Sequence, residues 1–258
     1  MTIVACVKVR DGLVLGTDSM TQIWGSSDAG PQLWKHYTNA RKLFQLRDFP
    51  IGVMTYGVGN IGNRSIEGIV YDFGKTVSGS PTVGETAQGL FAYISTLHEN
   101  AFGEADQGKR PALGMFVAGY SDGSVFPDQY EFVVPRDDAP VAVTPDVELS
   151  GAVWRGVDAP YTRLAVGIDP NLIPDLSDKG FTPDEIQALL ERARMTVVFD
   201  GMPLQDAINY CVYILDTTIG WSTFEWGAQA CGRPLQIATI LEDSGFRWVS
   251  RPDLSLPA

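Results

Sequence analysis

Histidine is almost missing from this 258-residue chain, which has only His36 and His98. Two imidazoles cannot build a multi-histidine metal centre and leave little for a Ser-His-Asp triad, so both are expected to be structural or exposed. Cysteine is scarce as well. Cys6, Cys211 and Cys231 are odd in number, scattered and without C-x-x-C spacing, which argues against a disulfide framework or zinc site and for a reducing compartment. Cys6, inside a strand-like run, reads as a small buried core residue. Basic residues number 19 against 31 acidic ones, and a net charge of -12 repels phosphate backbones and anionic headgroups. Neither nucleic acid nor a membrane surface is therefore expected as a partner. No apolar run approaches the roughly 18 residues of a membrane span, and no basic leader precedes the short apolar run at the start, so a signal peptide is not expected. P-loop, H-E-x-x-H and EF-hand spacings are missing too. These absences leave a cytoplasmic, globular protein with no metal or organic cofactor as the expectation.

What the chain does have is apolar surface for a sizeable core, with 45% hydrophobic and 10% aromatic residues. The run Thr2-Ile3-Val4-Ala5-Cys6-Val7-Lys8-Val9 turns at Arg10-Asp11-Gly12 and returns through Leu13-Val14-Leu15-Gly16-Thr17-Asp18-Ser19, which predicts a hairpin. A polar stretch over about 20–40 leads to a second hairpin over 42–46 and 51–56. Helical periodicity is expected over about 60–77 and 82–102, the second opened by Thr82 and Glu85 at capping-box spacing. Strands are expected at 113–120, 130–134 and 142–149, the last ending at Ser150-Gly151. Helices near 160–166, 182–195 and 203–218 precede closing strands at 235–241 and 246–249. Blocks of strands separated by pairs of helices lack the alternation of a parallel doubly wound sheet, and no repeat or low-complexity linker divides the chain. The expectation is one α+β domain over residues 1–258, a four-layer αββα sandwich of two antiparallel sheets flanked by helices.

Gly57-Val58-Gly59-Asn60-Ile61-Gly62 spells G-x-G-x-x-G between an expected strand and helix. A dinucleotide site would need a second parallel strand after that helix, ending in an acidic residue about 20 positions on. The corresponding Ser78-Gly79-Ser80-Pro81 reads as a loop, so close passage of backbone at a corner is preferred.

The chemistry is concentrated at the chain start. If Met1 is removed, Thr2 carries both a hydroxyl nucleophile and an α-amine with a pKa of about 7.7 to 8.0, suited to act as its general base. The hairpin returns Asp18 to the neighbourhood of Thr2. Lys42, opening the next hairpin, could place a cation beside the hydroxyl while Asp18 orients its ammonium. A developing oxyanion needs N–H donors, and the glycine-rich backbone around Tyr56 and Gly57 is a candidate source. Taken singly, each has a plain alternative: Met-Thr starts are common, Asp18 could accept bonds at a strand end, and Lys42 is by default a solvated charge.

Thr2-Ile3-Val4, the stretch from Arg10 to Ser19, and Arg41-Lys42-Leu43-Phe44-Gln45-Leu46 followed by the glycine corner resemble the N-terminal half of proteasome β-type subunits. Bacterial proteasome homologues of the Ntn-hydrolase superfamily are similar too. The resemblance implies a catalytic threonine at Thr2 with Asp18 and Lys42 as its partners, Ser150 supporting the threonine amine, and an αββα fold assembled into rings. It further implies a threonine-type endopeptidase or amidohydrolase acting on peptide or protein substrate as a homo-oligomer, without cofactor, and leaves open an ATPase partner. The chain departs from the family in a longer insert over 20–41 with Trp24 and Trp34, and in its late Asp and Ser, for which Asp216-Thr217-Thr218 and Ser222-Thr223-Phe224-Glu225 are candidates. The competing reading is a catalytically silent ring scaffold of the same fold.

Overall fold

The computed structural model describes residues 1–27, 30–143, 150–195, 197–198 and 200–252. In chain order the strands and helices begin with β1 (Ile3–Val9), β2 (Gly12–Thr17), β3 (Thr21–Ser27), β4 (Gly30–Tyr37), β5 (Leu43–Gln45), β6 (Ile51–Gly57), β7 (Asn60–Ile61) and β8 (Arg64–Ser65). They continue with α1 (Ile66–Thr76), α2 (Val83–Phe102), β9 (Leu113–Gly119), β10 (Asp128–Val134), β11 (Val141–Ala142) and β12 (Gly151–Gly156). The last third holds α3 (Ala159–Val166), α4 (Ile173–Asp178), α5 (Pro183–Ala193), α6 (Leu204–Phe224), β13 (Gln236–Leu241) and β14 (Gly245–Ser250).

Two five-stranded antiparallel sheets result, ordered β12-β1-β2-β13-β14 and β11-β10-β9-β6-β5. Every residue of β1 is buried, because alternate side chains enter different cores. Ile3, Ala5, Val7 and Val9 pack with Cys211, Ile214 and Leu215 of α6 and Tyr161 of α3. Val4 and Cys6 point the other way and meet Leu43, Met54 and Phe116 of the second sheet. The second sheet's remaining apolar side chains, among them Val53, Met115 and Phe132, pack with Ile69 and Phe73 of α1 and Leu90 and Ile94 of α2. Gly16 lets α6 lie close on β2, since a Cβ there would come within 2.9 Å of Leu215 Cδ1.

The Thr82–Glu85 capping box is present at the start of α2, with Glu85 N–H donating to Thr82 Oγ1 at 3.1 Å and Thr82 N–H to Glu85 Oε2 at 3.0 Å. Other elements differ from expectation. The first mid-chain helix begins at Ile66, not near 60, because Gly62 takes a left-handed φ of 56° in a small β7–β8 hairpin and Ser65 caps the helix. The glycine string therefore feeds a hairpin. At Gly57, with φ of 97°, a Cβ would collide with the carbonyl of Ala112, which is the close backbone passage expected. The stretch over 20–40 forms the β3–β4 hairpin, and α6 runs on to Phe224. Of the strand expected at 142–149, Ala142 closes β11, residue 143 follows it, and 144–149 lie outside the described residues; the next strand starts at Gly151. No helix among the described residues is long and apolar enough to cross a membrane.

Candidate functional site at the chain start

Thr2 precedes β1 and is 5% exposed. Its carbonyl oxygen accepts from the Val157 N–H at 2.8 Å, just past the end of β12. Because Val4 pairs with Thr17 across the first hairpin, Asp18 lies opposite Ile3, and its N–H donates to the Ile3 carbonyl at 3.3 Å. The Asp18 carboxylate has no exposure and accepts four hydrogen bonds. Oδ1 takes the Ile3 N–H at 3.2 Å and the Lys42 ammonium at 2.8 Å; Oδ2 takes the N–H groups of Met20 and Gly232, each at 3.0 Å. A buried carboxylate survives only with this kind of saturation.

Lys42 enters just ahead of β5, 6% exposed. Its three ammonium donors find Asp18 Oδ1, the Met20 carbonyl, and the Met1 carbonyl oxygen at 3.4 Å. That last oxygen belongs to the peptide bond ahead of Thr2, so the Asp18–Lys42 pair flanks Thr2 from both sides. Burial lowers the Lys42 pKa, and Asp18 works against that shift. Burial, and then the Lys42 charge, also hold the Met1 amine below its ordinary value.

Tyr56 and Gly57 close β6 at the same end. Thr55 N–H donates to the Lys42 carbonyl at 3.0 Å, so Tyr56 lies one residue beyond the register position of Lys42. Gly156, with φ of 94°, is where the two sheets come together beside Thr2. A Cβ on it would collide with the Thr2 carbonyl oxygen and stand 3.5 Å from Tyr56 Cβ. Burial, with Glu131 nearby, pushes the Tyr56 phenol up to about 12, keeping it neutral.

Ser150 is not at this site. It precedes β12, whose Gly151 pairs with Lys8 while Gly156 pairs with Ile3. Six strand residues at about 3.3 Å each put Ser150 about 20 Å along the sheet from the Thr2 end. The dipeptide Ser150-Gly151 opens a strand that runs toward Thr2 instead of ending one there, so Ser150 cannot support the threonine amine.

Several residues at the site went unrecognised in the sequence. Gln236 on β13 is 1% exposed, and its Oε1 accepts from the backbone N–H groups of Lys42 and Leu43 at 3.2 and 3.3 Å. Its Nε2 donates to Ser19 Oγ at 2.7 Å and the Ala40 carbonyl at 2.9 Å. Gly232 donates to Asp18 from a loop braced by Ser222, whose Oγ accepts from Ala230 N–H at 2.6 Å and Cys231 N–H at 3.4 Å. Ser222 was one of the late candidates; Asp216, another, instead binds Arg233 at 2.6 Å. A Cys231 thiol held by burial at about 12 stays protonated. Cys6, also buried, is raised well above its ordinary value. His98 is buried with Nε2 2.7 Å from the Pro111 carbonyl, and His36 is exposed on β4. Among the described residues no group of three or more His, Cys, Asp or Glu could hold a metal ion.

No family model matches the chain, and no curated protein does. Solved structures do match. The Gly-1 mutant of Anbu from Hyphomicrobium sp. strain MC1 is similar with a TM-score of 0.56 at 14% identity, over 98% of this chain and 89% of that one. Anbu, described as an ancestral beta-subunit, from Yersinia bercovieri gives 0.51 at 14% identity, over 96% and 87%. A further structure of Anbu from Hyphomicrobium sp. strain MC1 gives 0.52 at 13% identity, over 97% and 88%. At such identity the likeness is one of fold alone, and that fold is proteasome-like.

Proposed function

We propose that this chain is an N-terminal threonine amidohydrolase that cleaves peptide bonds through an acyl-enzyme once Met1 has been removed. The observation that carries the reading is the Lys42 ammonium, bonded to a fully saturated Asp18 and 3.4 Å from the carbonyl of the bond ahead of Thr2. A cation held there by a buried carboxylate would serve little purpose in an inert corner, and it stabilises an alkoxide at Thr2. Removing Met1 frees the Thr2 amine and takes away one of the acceptors of Lys42.

The Thr2 hydroxyl oxygen then attacks the substrate carbonyl carbon while its proton passes to the Thr2 amine. The tetrahedral oxyanion is met by the Gly57 N–H, which leaves β6 on the same side as the Thr55 N–H that binds the Lys42 carbonyl; the Tyr56 N–H, the other candidate, faces β9 as that of Val58 does and drops out as a donor. Collapse breaks the C–N bond, the amine returns the proton to the departing nitrogen, and an ester remains on Thr2. Water, deprotonated by the same amine, releases the acid and restores the hydroxyl. No step calls on a cofactor.

We read the packing as a four-layer αββα sandwich in one domain, supported by the core shared between the sheets and the helix-lined cores behind each. Assembly into a cytoplasmic homo-oligomeric ring belongs to the same proposal. The silent-scaffold reading draws its support from Ser150, which stands away from Thr2 and leaves the amine without that partner.

Intact-mass measurement after exposure to a threonine-directed covalent inhibitor tests the proposal. The expected result is a chain lacking Met1 that gains one inhibitor, with no gain in Thr2→Ala. A mature chain that keeps Met1 and stays unlabelled establishes the scaffold instead.

A further inference from the structure

On the far side of the segment that carries Lys42 lies a cavity of about 510 Å³, a size typical of small-molecule sites. Its walls come from the approach to β5, α1, β14 and the residues that follow β14. Their charge runs against that of the whole chain. Among the described lining residues, Arg41, Arg47 and Arg251 face a single carboxylate, Glu67, in a protein of net charge -12. Clustered cations in a concave wall focus the field on an incoming anion.

Each guanidinium is held in place without being used up. Arg41 Nη1 binds Glu67 Oε1 at 2.8 Å. Arg47 Nη1 donates to the Val77 carbonyl at 2.9 Å, and its guanidinium stands 5.8 Å from the Phe49 ring centre. Arg251 lies 5.1 Å from the ring centre of Trp248, which also lines the cavity. A guanidinium has five N–H donors, so most remain for a ligand. Arg47 is also the one non-glycine among the described residues with a positive φ, 51°, a backbone state that glycine would adopt at lower cost. What the position gains over glycine is a side chain that lines the cavity and whose guanidinium binds the Val77 carbonyl at the end of α1. Phe44, Tyr71 and Trp248 supply flat apolar wall.

We propose that this cavity binds a small ligand carrying a carboxylate or phosphate on a flat apolar body, the anion held by Arg41, Arg47 and Arg251. The site adjoins the Thr2 machinery through Gln236, which lines the cavity and also holds the Lys42 backbone, but its binding of an anion does not depend on the hydrolase reading. Isothermal titration of the full chain at low salt, with phenyl phosphate, benzoate and neutral phenol as probes, tests it. One anionic probe is expected to bind once per chain, about tenfold or more tighter than phenol, a difference of about 1.4 kcal/mol. Which anion binds more tightly distinguishes phosphate from carboxylate. Arg251→Gln, remote from the cores, should weaken binding about tenfold, a further 1.4 kcal/mol, and Arg41→Gln with Arg251→Gln should abolish it while circular dichroism stays unchanged. Thr2→Ala should bind like the parent, so loss of the hydrolase reading would leave this result intact. The proposal is overturned by phenol binding as tightly as the anions, by no binding of any probe at millimolar concentration, or by anion binding that survives both substitutions.

Discussion

Gln236 grips Lys42 by its backbone and not by its side chain: one amide oxygen accepts the N–H groups of Lys42 and Leu43 at 3.2 and 3.3 Å. The same side chain ties down Ser19 and Ala40, so a single residue of β13 sets where the second sheet begins relative to Asp18. Replacing Gln236 with Leu should cost about 1–3 kcal/mol for each polar group left dry, read from urea denaturation. Thr2 labelling should slow more than in Ile69→Ala, a core variant of α1 expected to lose about 2–5 kcal/mol. Equal slowing in the two variants would reduce Gln236 to a packing residue.

The Asp18–Lys42 pair should be strongly coupled. Lys42→Met leaves a buried carboxylate without its cation and is expected to cost about 3–5 kcal/mol. Adding Asp18→Asn should return part of that loss, with a coupling of about 0.5–3 kcal/mol in a double-mutant cycle followed by denaturant unfolding. Strict additivity would mean that the two charges do not support one another.

Alkaline pH should weaken the fold through its buried thiols. Cys211 and Cys231, ordinarily near 9.0, are pushed up to about 12 by burial. The folded chain therefore keeps these protons after the unfolded chain has lost them, and their stabilisation, complete below pH 9, is lost between pH 9 and about 12. The slope should reach about 1.4 kcal/mol per pH unit for each thiol. Lys42, lowered by burial, acts in the opposite sense, because the unfolded chain holds that proton longer. Comparing urea curves of the parent and Cys211→Ala at pH 8 to 10 isolates one thiol, and identical slopes would refute the assignment.

The two capping boxes should differ in consequence. Thr82→Ala is expected to cost about 1 kcal/mol of global stability, because α2 buries Leu90 and Ile94 in a main core. Thr182 makes the same bonds at the start of α5, which buries only Ile186 among its described residues. Thr182→Ala should speed amide exchange in α5 and leave the unfolding midpoint nearly unchanged.

The nearness of Thr2 and Asp18 was legible in the chain because a tight hairpin returns Asp18 to its start. Lys42 was picked out by the resemblance and not by local geometry, since the β3–β4 hairpin intervenes and β5 belongs to the other sheet. Gln236, Gly232 and Ser222 could not be read this way, since they arrive about 200 residues later through sheet order and carry no local motif. Ser150 was misplaced because a Ser-Gly pair says nothing about register, and the β1–β12 pairing puts it at the wrong end of the strand. The β3–β4 hairpin escaped notice because exposed Ile23, Trp24 and Trp34 offer no alternating buried face.

Asp18 draws its four partners from chain positions 3, 20, 42 and 232. Three of these lie within the first 42 residues and the fourth precedes β13, so the pocket around this carboxylate is complete only once the loop before β13 has docked on the first hairpin.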